Sequence, residues 1–344
     1  MRIGFMLHSV LDDDSWDYSF LATSMAEIAR LVADLRSRGY LFVKACEWPN
    51  LEKGRFASIS FDDGYLDNWT VLFPWMHENK VPFTVFINRD FVIEDSVCRP
   101  FNTRLPGYLN SEEIRRMAES GVVDFQSHSC THTWYPISGR VVDIYHSERK
   151  AAYPWMQWNS DVSRKFEWLT YTDDRLNGYP VFENDRSLRA VKFLLPNDVV
   201  NDFNAQVAND SLTVIEANEL FQAKYVRFGQ EETVEQSISR YSDEIVGNND
   251  FIENLTGVRP TVLCWPGGAY NEHSLRLAES LGLVTTSKVG FGAESKFLHR
   301  ISPTNHYGRD RWPWKDQALT FSYYLARYRL KNISYRLRRF FINS

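Results

Sequence analysis

Two adjacent carboxylates stand at the end of an apolar run: Phe61-Asp62-Asp63-Gly64 follows Arg55-Phe56-Ala57-Ser58-Ile59-Ser60. Strands are depleted in Asp, and a buried carboxylate is costly unless it is paired, hydrogen-bonded or bound to a metal. Gly64 permits a sharp turn and the close approach of a ligand. Neighbouring side chains at a strand end diverge, so the two carboxylates can hold different jobs in one pocket. The plainer alternative is a helix N-cap, with Asp63 or Asp67 capping the helix that carries Trp69 to His77. A second group, His128-Ser-Cys-Thr-His132, follows the strand-like run 122–126. Two histidines at this spacing can converge on one metal, or sit half-exposed on a helix face. Parallel α/β architectures gather the carboxyl ends of their strands at one face. Two His plus one Asp is a three-ligand set with open positions, as a catalytic metal requires. Such a set also suits iron for oxygen chemistry, against which the adjacent free Asp62 speaks.

The elements that must position these residues alternate. Residues 3–10 read as a strand ending near His8, followed by an acidic loop from Asp12 to Asp17. Helical spacing runs over 24–38 and stops at Gly39; strands follow at 40–43 and 56–61, then a helix over 66–79. The strand 81–87 runs into Asn88-Arg89-Asp90, and the helix 111–120 begins with a capping box half-filled from Ser111. Residues 135–225 break the rhythm and read as a long insertion with helices of its own at 197–208 and 213–224. A helix over 231–254, a strand at 262–265 and a helix over 273–281 resume it. This is a parallel βα pattern.

Ile59-Ser-Phe-Asp-Asp-Gly-Tyr65 together with His128-Ser-x-x-His132 resembles the first two motifs of the polysaccharide deacetylases, carbohydrate esterase family four or the NodB-homology domain. Met6-Leu-His-Ser-Val10 and Val81-Pro-Phe-Thr-Val-Phe86 resemble the flanking strands, and 257–271 the third motif. The resemblance covers roughly 1–134 and 240–302. It implies a distorted (β/α) barrel with fewer than eight units and a divalent metal, usually zinc. By motif position Asp63, His128 and His132 would bind the metal, Asp62 would be the general base, and the backbone N–H of Tyr65 would help hold the oxyanion. It implies hydrolysis of an N-acetyl amide, with a Lewis acid, an activated water and a proton donor to the amine. Two departures stand out. Many members carry a base-orienting Arg in the third motif, near where Trp265 stands here, and Gly267 replaces the usual aromatic. The last motif, which holds the acid histidine, matches Phe297-Leu298-His299, with His306 as the other candidate; His8 is expected to face the same site.

Composition narrows the class. A chain of 344 residues with net charge −5 suits α/β domains and gives no electrostatic sign of a nucleic-acid partner. Cys46, Cys98, Cys130 and Cys264 lack metal-knuckle spacing and read as reduced thiols. The N-terminal stretch resembles a core strand and not a signal peptide, which points to a cytoplasmic protein; the four glycosylation sequons then read as chance. The domain reading is therefore a deacetylase barrel over 1–134 and 226–317, the insertion 135–225 as either a substrate lid or a solvated structural excursion, and a C-terminal helix over 318–344. Glu183, Asp185 and Arg186 are the lid's candidate sugar contacts; Trp155, Trp158 and Trp168 are mostly its core. The tail carries six basic residues from Arg327 to Arg339 and an apolar face, which suits either a terminal helix docked on the barrel or a membrane interface, the latter putting the enzyme peripherally on the inner membrane. The expected function is a metal-dependent N-deacetylase acting on a lipid- or nucleotide-linked precursor of surface polysaccharide, such as O-antigen or capsule. The rivals are a hydrolase of another amide or an O-acetyl ester, and a catalytically inactive carbohydrate-binding relic.

Overall fold

The computed structural model describes residues 2–11, 22–101, 103–287 and 297–301, the side chains at 11, 287, 297–299 and 301 excepted. The acidic loop, His306 and the basic tail lie outside the described residues. Two compact units emerge: Met1–Ser129 with Asn248–Gly268 and Ala278–Ser344, and Cys130–Gly247 with Ala269–Leu277.

Among the described residues of the first unit, seven parallel strands pair in a ring. β1 (Arg2–Leu7) pairs with β2 (Phe56–Asp62), and β2 with β3 (Phe83–Ile87). β3 pairs with β4 (Val123–Ser127), which meets β5 (Val262–Leu263) at the single position Ser127↔Leu263. β6 (Val284–Ser287) and β7 (Phe297–Ile301) follow, and β7 returns to β1. This is the distorted α/β barrel with fewer than eight units. A two-residue strand, Leu41–Phe42, pairs beside the start of β2.

Alternation along each strand sorts the chemistry. Ala57, Ile59 and Phe61 of β2 join an apolar layer with Ile28, Leu31, Val32 and Leu35 of the helix Met25–Ser37. That helix starts at Ser24, whose hydroxyl and Glu27 form a complete capping box. Ser58, Ser60 and Asp62 take the other face, where Ser60 donates to the Phe5 carbonyl (2.8 Å), and Gln126 donates to Asp124 (2.7 Å) while accepting from the Val262 amide (2.7 Å). The strand thus delivers Asp62 to a polar interior because the alternate residues before it, Ala57, Ile59 and Phe61, are committed to the helix layer.

Two local expectations about capping are corrected. The helix expected over 66–79 forms, as a π-helical turn, Asn68–Leu72, running into the α-helix Phe73–Glu78, but Asp67 makes no cap bond to it. The Asp67 carboxylate instead accepts from the Ser9 hydroxyl and from Asn68 Nδ2 (2.9 Å), while Asn68 Nδ2 also donates to the His8 carbonyl (3.0 Å). The pair therefore ties the end of β1 to the segment after the Asp pair. The capping box of the helix Ser111–Glu119 is complete, but it starts at Asn110 and closes through Glu113, one residue earlier than the Ser111 pattern.

The second unit is built on an antiparallel hairpin, Trp134–Ile144 with Pro180–Arg186, whose register shifts between Pro136 and Asp143. The helices Asn197–Asn209 and Val214–Leu220 close a core of Val141, Phe203, Val207, Ala217 and Phe221 against it. All four cysteines are free, and no described helix is long and apolar enough to cross a membrane.

Burial pushes the Asp67 carboxyl up to about 7, against the pull of the Ser9 hydroxyl, the Val10 amide and Asn68. The folded state then holds a proton that the unfolded chain releases at its lower, ordinary carboxylate pKa, so this group's contribution is lost as pH rises through the folded value. Relative to Asp67→Asn, wild-type stability in denaturant melts should fall by roughly 1–4 kcal/mol between pH 4 and 8. A difference between the two proteins that stays constant with pH would show that Asp67 is ionised throughout.

Candidate active site

The carboxyl end of β2 makes the site. Asp62, the last strand residue, is 3 % exposed. Asp63 then turns into the left-handed region (φ 73°) and Gly64 follows it there (φ 68°). For Asp63 this is a strained conformation, of the kind that persists where surrounding structure fixes it. At Gly64 a Cβ would lie 2.8 Å from Ile87 Cγ2, so neither the turn nor the space admits a side chain. The reversal sends the two carboxylates to different partners.

Asp62 meets Arg300 of β7. The guanidinium forks onto the carboxylate, Nη1 to Oδ1 at 2.5 Å and Nη2 to Oδ2 at 2.9 Å. Nη1 also donates to Ser60 Oγ (2.9 Å) and Nη2 to Cys264 Sγ (2.7 Å), and the group lies over the Phe86 ring at 4.8 Å. Both charges are buried, so each supplies the compensation the other lacks. Burial alone would push Asp62 up; the Arg300 charge, helped by His128 and His8, outweighs it and holds the carboxyl below the usual carboxylate range. Asp62 is ionised at neutral pH.

Asp63 faces His128, the residue after β4, with Oδ1 3.3 Å from Nε2. His128 is fixed from behind: Nδ1–H donates to the Cys264 carbonyl (2.8 Å) and its amide to the Ile87 carbonyl (3.1 Å). Asn88, at the end of β3, donates to the His128 carbonyl and to the Ser129 carbonyl (3.2 Å). Asn248 donates to the Ile87 carbonyl (2.9 Å) and Ser127 Oγ (3.0 Å). Burial opposes a charge on His128, but the Cys264 sulfur and Asp63 draw its imidazole well above its ordinary range. A carboxylate oxygen thus faces an imidazole nitrogen at 3.3 Å, and the other ring nitrogen bonds a backbone carbonyl. That is the donor arrangement and outer-shell fixing a divalent cation takes, so the residues fit the metal. Asp62, His128 and Cys264 also bring ligand atoms within 4.8 Å of one another. The Arg300 guanidinium bonds both Asp62 and Cys264 in that group, which makes it unsuited to a second cation.

The other expected residues are placed as follows. His8, at the end of β1, feels Asp63, Asp62, Arg300 and His128 electrostatically, and burial holds its imidazole below its ordinary range. Tyr65 is buried with its ring on Tyr108 (5.1 Å). Trp265 is 1 % exposed, and Gly267 (φ 59°) turns the segment Pro266–Gly268 after β5. His132 and Arg186 belong to the second unit. There the His132 ring stands edge-on to Trp134 (5.8 Å) and Trp158 (6.0 Å), and Arg186 lies over Trp134 (4.1 Å). His299 falls on β7 opposite Ser287, but its side chain, like all of His306, lies outside the described residues. Arg300, Asn88 and Asn248 were not among the expected residues. For Arg300 the signal was an arginine inside the strand-like run 297–301, as out of place there as Asp62 in β2. For Asn88 it was the polar end of the strand 81–87.

The geometry agrees with what the chain resembles. The family model described as polysaccharide deacetylase matches residues 51–170 and 228–286, over half of the chain. Among solved structures, a de-N-acetylase from Aggregatibacter actinomycetemcomitans superposes with a TM-score of 0.55 at 15 % identity, covering 87 % of this chain and 94 % of that one. The BpsB deacetylase domain from Bordetella bronchiseptica gives 0.52 at 13 % identity, covering 88 % and 95 %. Among curated proteins no sequence matches significantly. The strand-end Asp pair, the histidine that faces it and the matching family model make this chain a member of the polysaccharide deacetylase family, hydrolases of the amide bond in N-acetyl groups.

Proposed function

We propose that the protein is a metal-dependent deacetylase of an N-acetylated sugar in a surface-polysaccharide precursor, with Asp62 as general base. The observation that carries this is the buried fork between Arg300 and Asp62, beside the Asp63–His128 pair. Asp63 and His128, with His132 four residues further along the chain, would hold the cation, taken to be zinc. When bound, such an ion supplies a Lewis acid for the acetyl carbonyl. The remaining work belongs to the chain. Asp62, ionised and fixed by two bonds, accepts a proton from the attacking water. Its fork to Arg300 fixes the carboxylate's direction, so the base is aimed before substrate arrives. The Tyr65 amide is assigned to the developing oxyanion, and a histidine, His299 first, to protonation of the amine. Arg186 remains a candidate sugar contact.

The relic reading was motivated by the altered third motif. The Arg300 fork bears on it, since a base-orienting guanidinium is present and comes from a different strand. The carrier of the sugar, lipid- or nucleotide-linked, and a cytoplasmic location with the basic tail on the inner membrane are parts of the proposal that rest on sequence alone.

Acetate release from N-acetylhexosamine oligosaccharides tests the reading. Asp62→Asn should lower kcat by about 10²–10⁴-fold with zinc still bound. Asp63→Ala should lose both zinc, by elemental analysis, and activity. Ammonia or no product in place of acetate, or full activity in either variant, would sink the assignment. For the tail, the full-length protein should float with anionic liposomes and a 1–322 truncation should not; equal behaviour of the two removes the membrane contact.

A further inference from the structure

We infer that Lys165 and Glu244 are positioning residues for His132, the second histidine of its motif, and that the second unit serves as the mould for the His132 loop. This rests on the proposed metal reading and concerns residues of the second unit alone. His132 itself adopts φ 49°, a left-handed conformation unusual for a side-chain-bearing residue. Such a conformation costs on the order of 1–3 kcal/mol and persists only where its surroundings over-determine it. The surroundings here do. The Glu244 backbone carbonyl accepts from the Cys130 amide (3.0 Å), and its carboxylate takes the Thr131 amide (2.9 Å) and the Thr131 hydroxyl. Lys165, from the turn Val162–Glu167, donates its ammonium to the Thr131 carbonyl. On the far side of His132, Thr133 Oγ1 donates to Asn159 Oδ1 (2.6 Å) and the Thr133 carbonyl accepts from the Ser187 amide (2.9 Å). Asn159 in turn donates to the Trp134 carbonyl (2.9 Å).

The types of residue make the case. Lysine belongs on surfaces, where its ammonium stays hydrated, yet Lys165 is 2 % exposed and Glu244 is 3 % exposed. They grip opposite ends of one residue, Thr131, the carboxylate on its N–H and hydroxyl and the ammonium on its C=O. That residue directly precedes His132. Trp158 links the clamp to the ring: it lies 5.5 Å from the Lys165 ammonium and 6.0 Å from the His132 imidazole. A loop needing only to be ordered could be held by neutral groups. Two buried opposite charges on the peptides either side of one residue give a direction as well, and set the φ and ψ that aim the next side chain.

The test is zinc affinity, measured by competition with a chromophoric chelator on the full chain, beside the metal-free melting temperature. Lys165→Met and Glu244→Gln should each weaken zinc binding by about 10–100-fold, the range typical of outer-shell partners. Lys165→Arg, which keeps charge and donor, should recover most of the loss. If either variant loses its cooperative melt, Thr131→Val carries the same test, since it removes only the hydroxyl that Glu244 holds; it should weaken zinc binding in the same direction. Wild-type zinc affinity in folded variants would overturn the clamp while leaving the deacetylase reading intact. A wild-type protein that binds no zinc would overturn both.

Discussion

A carboxylate at the end of a buried strand must be compensated, and here one guanidinium does it. Asp62 and Arg300 are separated by 238 residues, yet both lie at the polar face of the ring, joined by a two-bond fork. Removing one member of such a pair typically costs about 3–5 kcal/mol, because the other is left charged and buried. The pair therefore constrains more than chemistry. It fixes the placement of β7 against β2 across β1, and it keeps Asp62 ionised in surroundings that would otherwise protonate it. A base that is already charged and already aimed is what this reaction needs at neutral pH.

The second carboxylate is freed by the first. Because Asp62 is satisfied by Arg300, Asp63 can turn through a left-handed φ toward His128, and Gly64 completes the reversal where no Cβ fits. Asn88 and Asn248 then fix the end of β4, so the histidine faces Asp63 with its outer nitrogen already committed to a carbonyl. Ordinary backbone rules produce this division of labour. Strand alternation chooses the face for Asp62, and one left-handed residue redirects the next side chain.

Much of this was legible in the residues. Alternating strand-like runs and helical spacing were enough for a parallel βα pattern with Asp62 and His128 at strand ends, while the barrel itself followed from the resemblance of the two motifs to the deacetylase family. Local sequence could not show what compensates Asp62, because that partner is set by how the ring closes between β7 and β1. Trp265 holds the position in the third motif where the base-orienting Arg is expected, while the arginine that meets Asp62 stands beside His299, at the far end of the chain from β2. Two smaller misses share a cause. The plainer alternative had Asp67 as a cap because Asp favours helix starts, but the hydroxyl of Ser9, just past the end of β1, takes its carboxylate. The capping box moved to Asn110 because Glu113 closes back on the preceding residue and not on Ser111. In each case a long-range or neighbouring partner overrode a local preference.

The central claim is that Arg300 acts through Asp62. A double-mutant cycle on kcat tests it directly, with Asp62→Asn, Arg300→Met and the double variant each confirmed as folded. The account predicts that Arg300→Met lowers kcat when Asp62 is present and adds little once Asp62 is already Asn. It also predicts that the double variant is more stable than Arg300→Met alone, since no uncompensated buried charge remains. Losses in kcat that multiply independently would contradict the account, and would make Arg300 a separate contributor to the reaction.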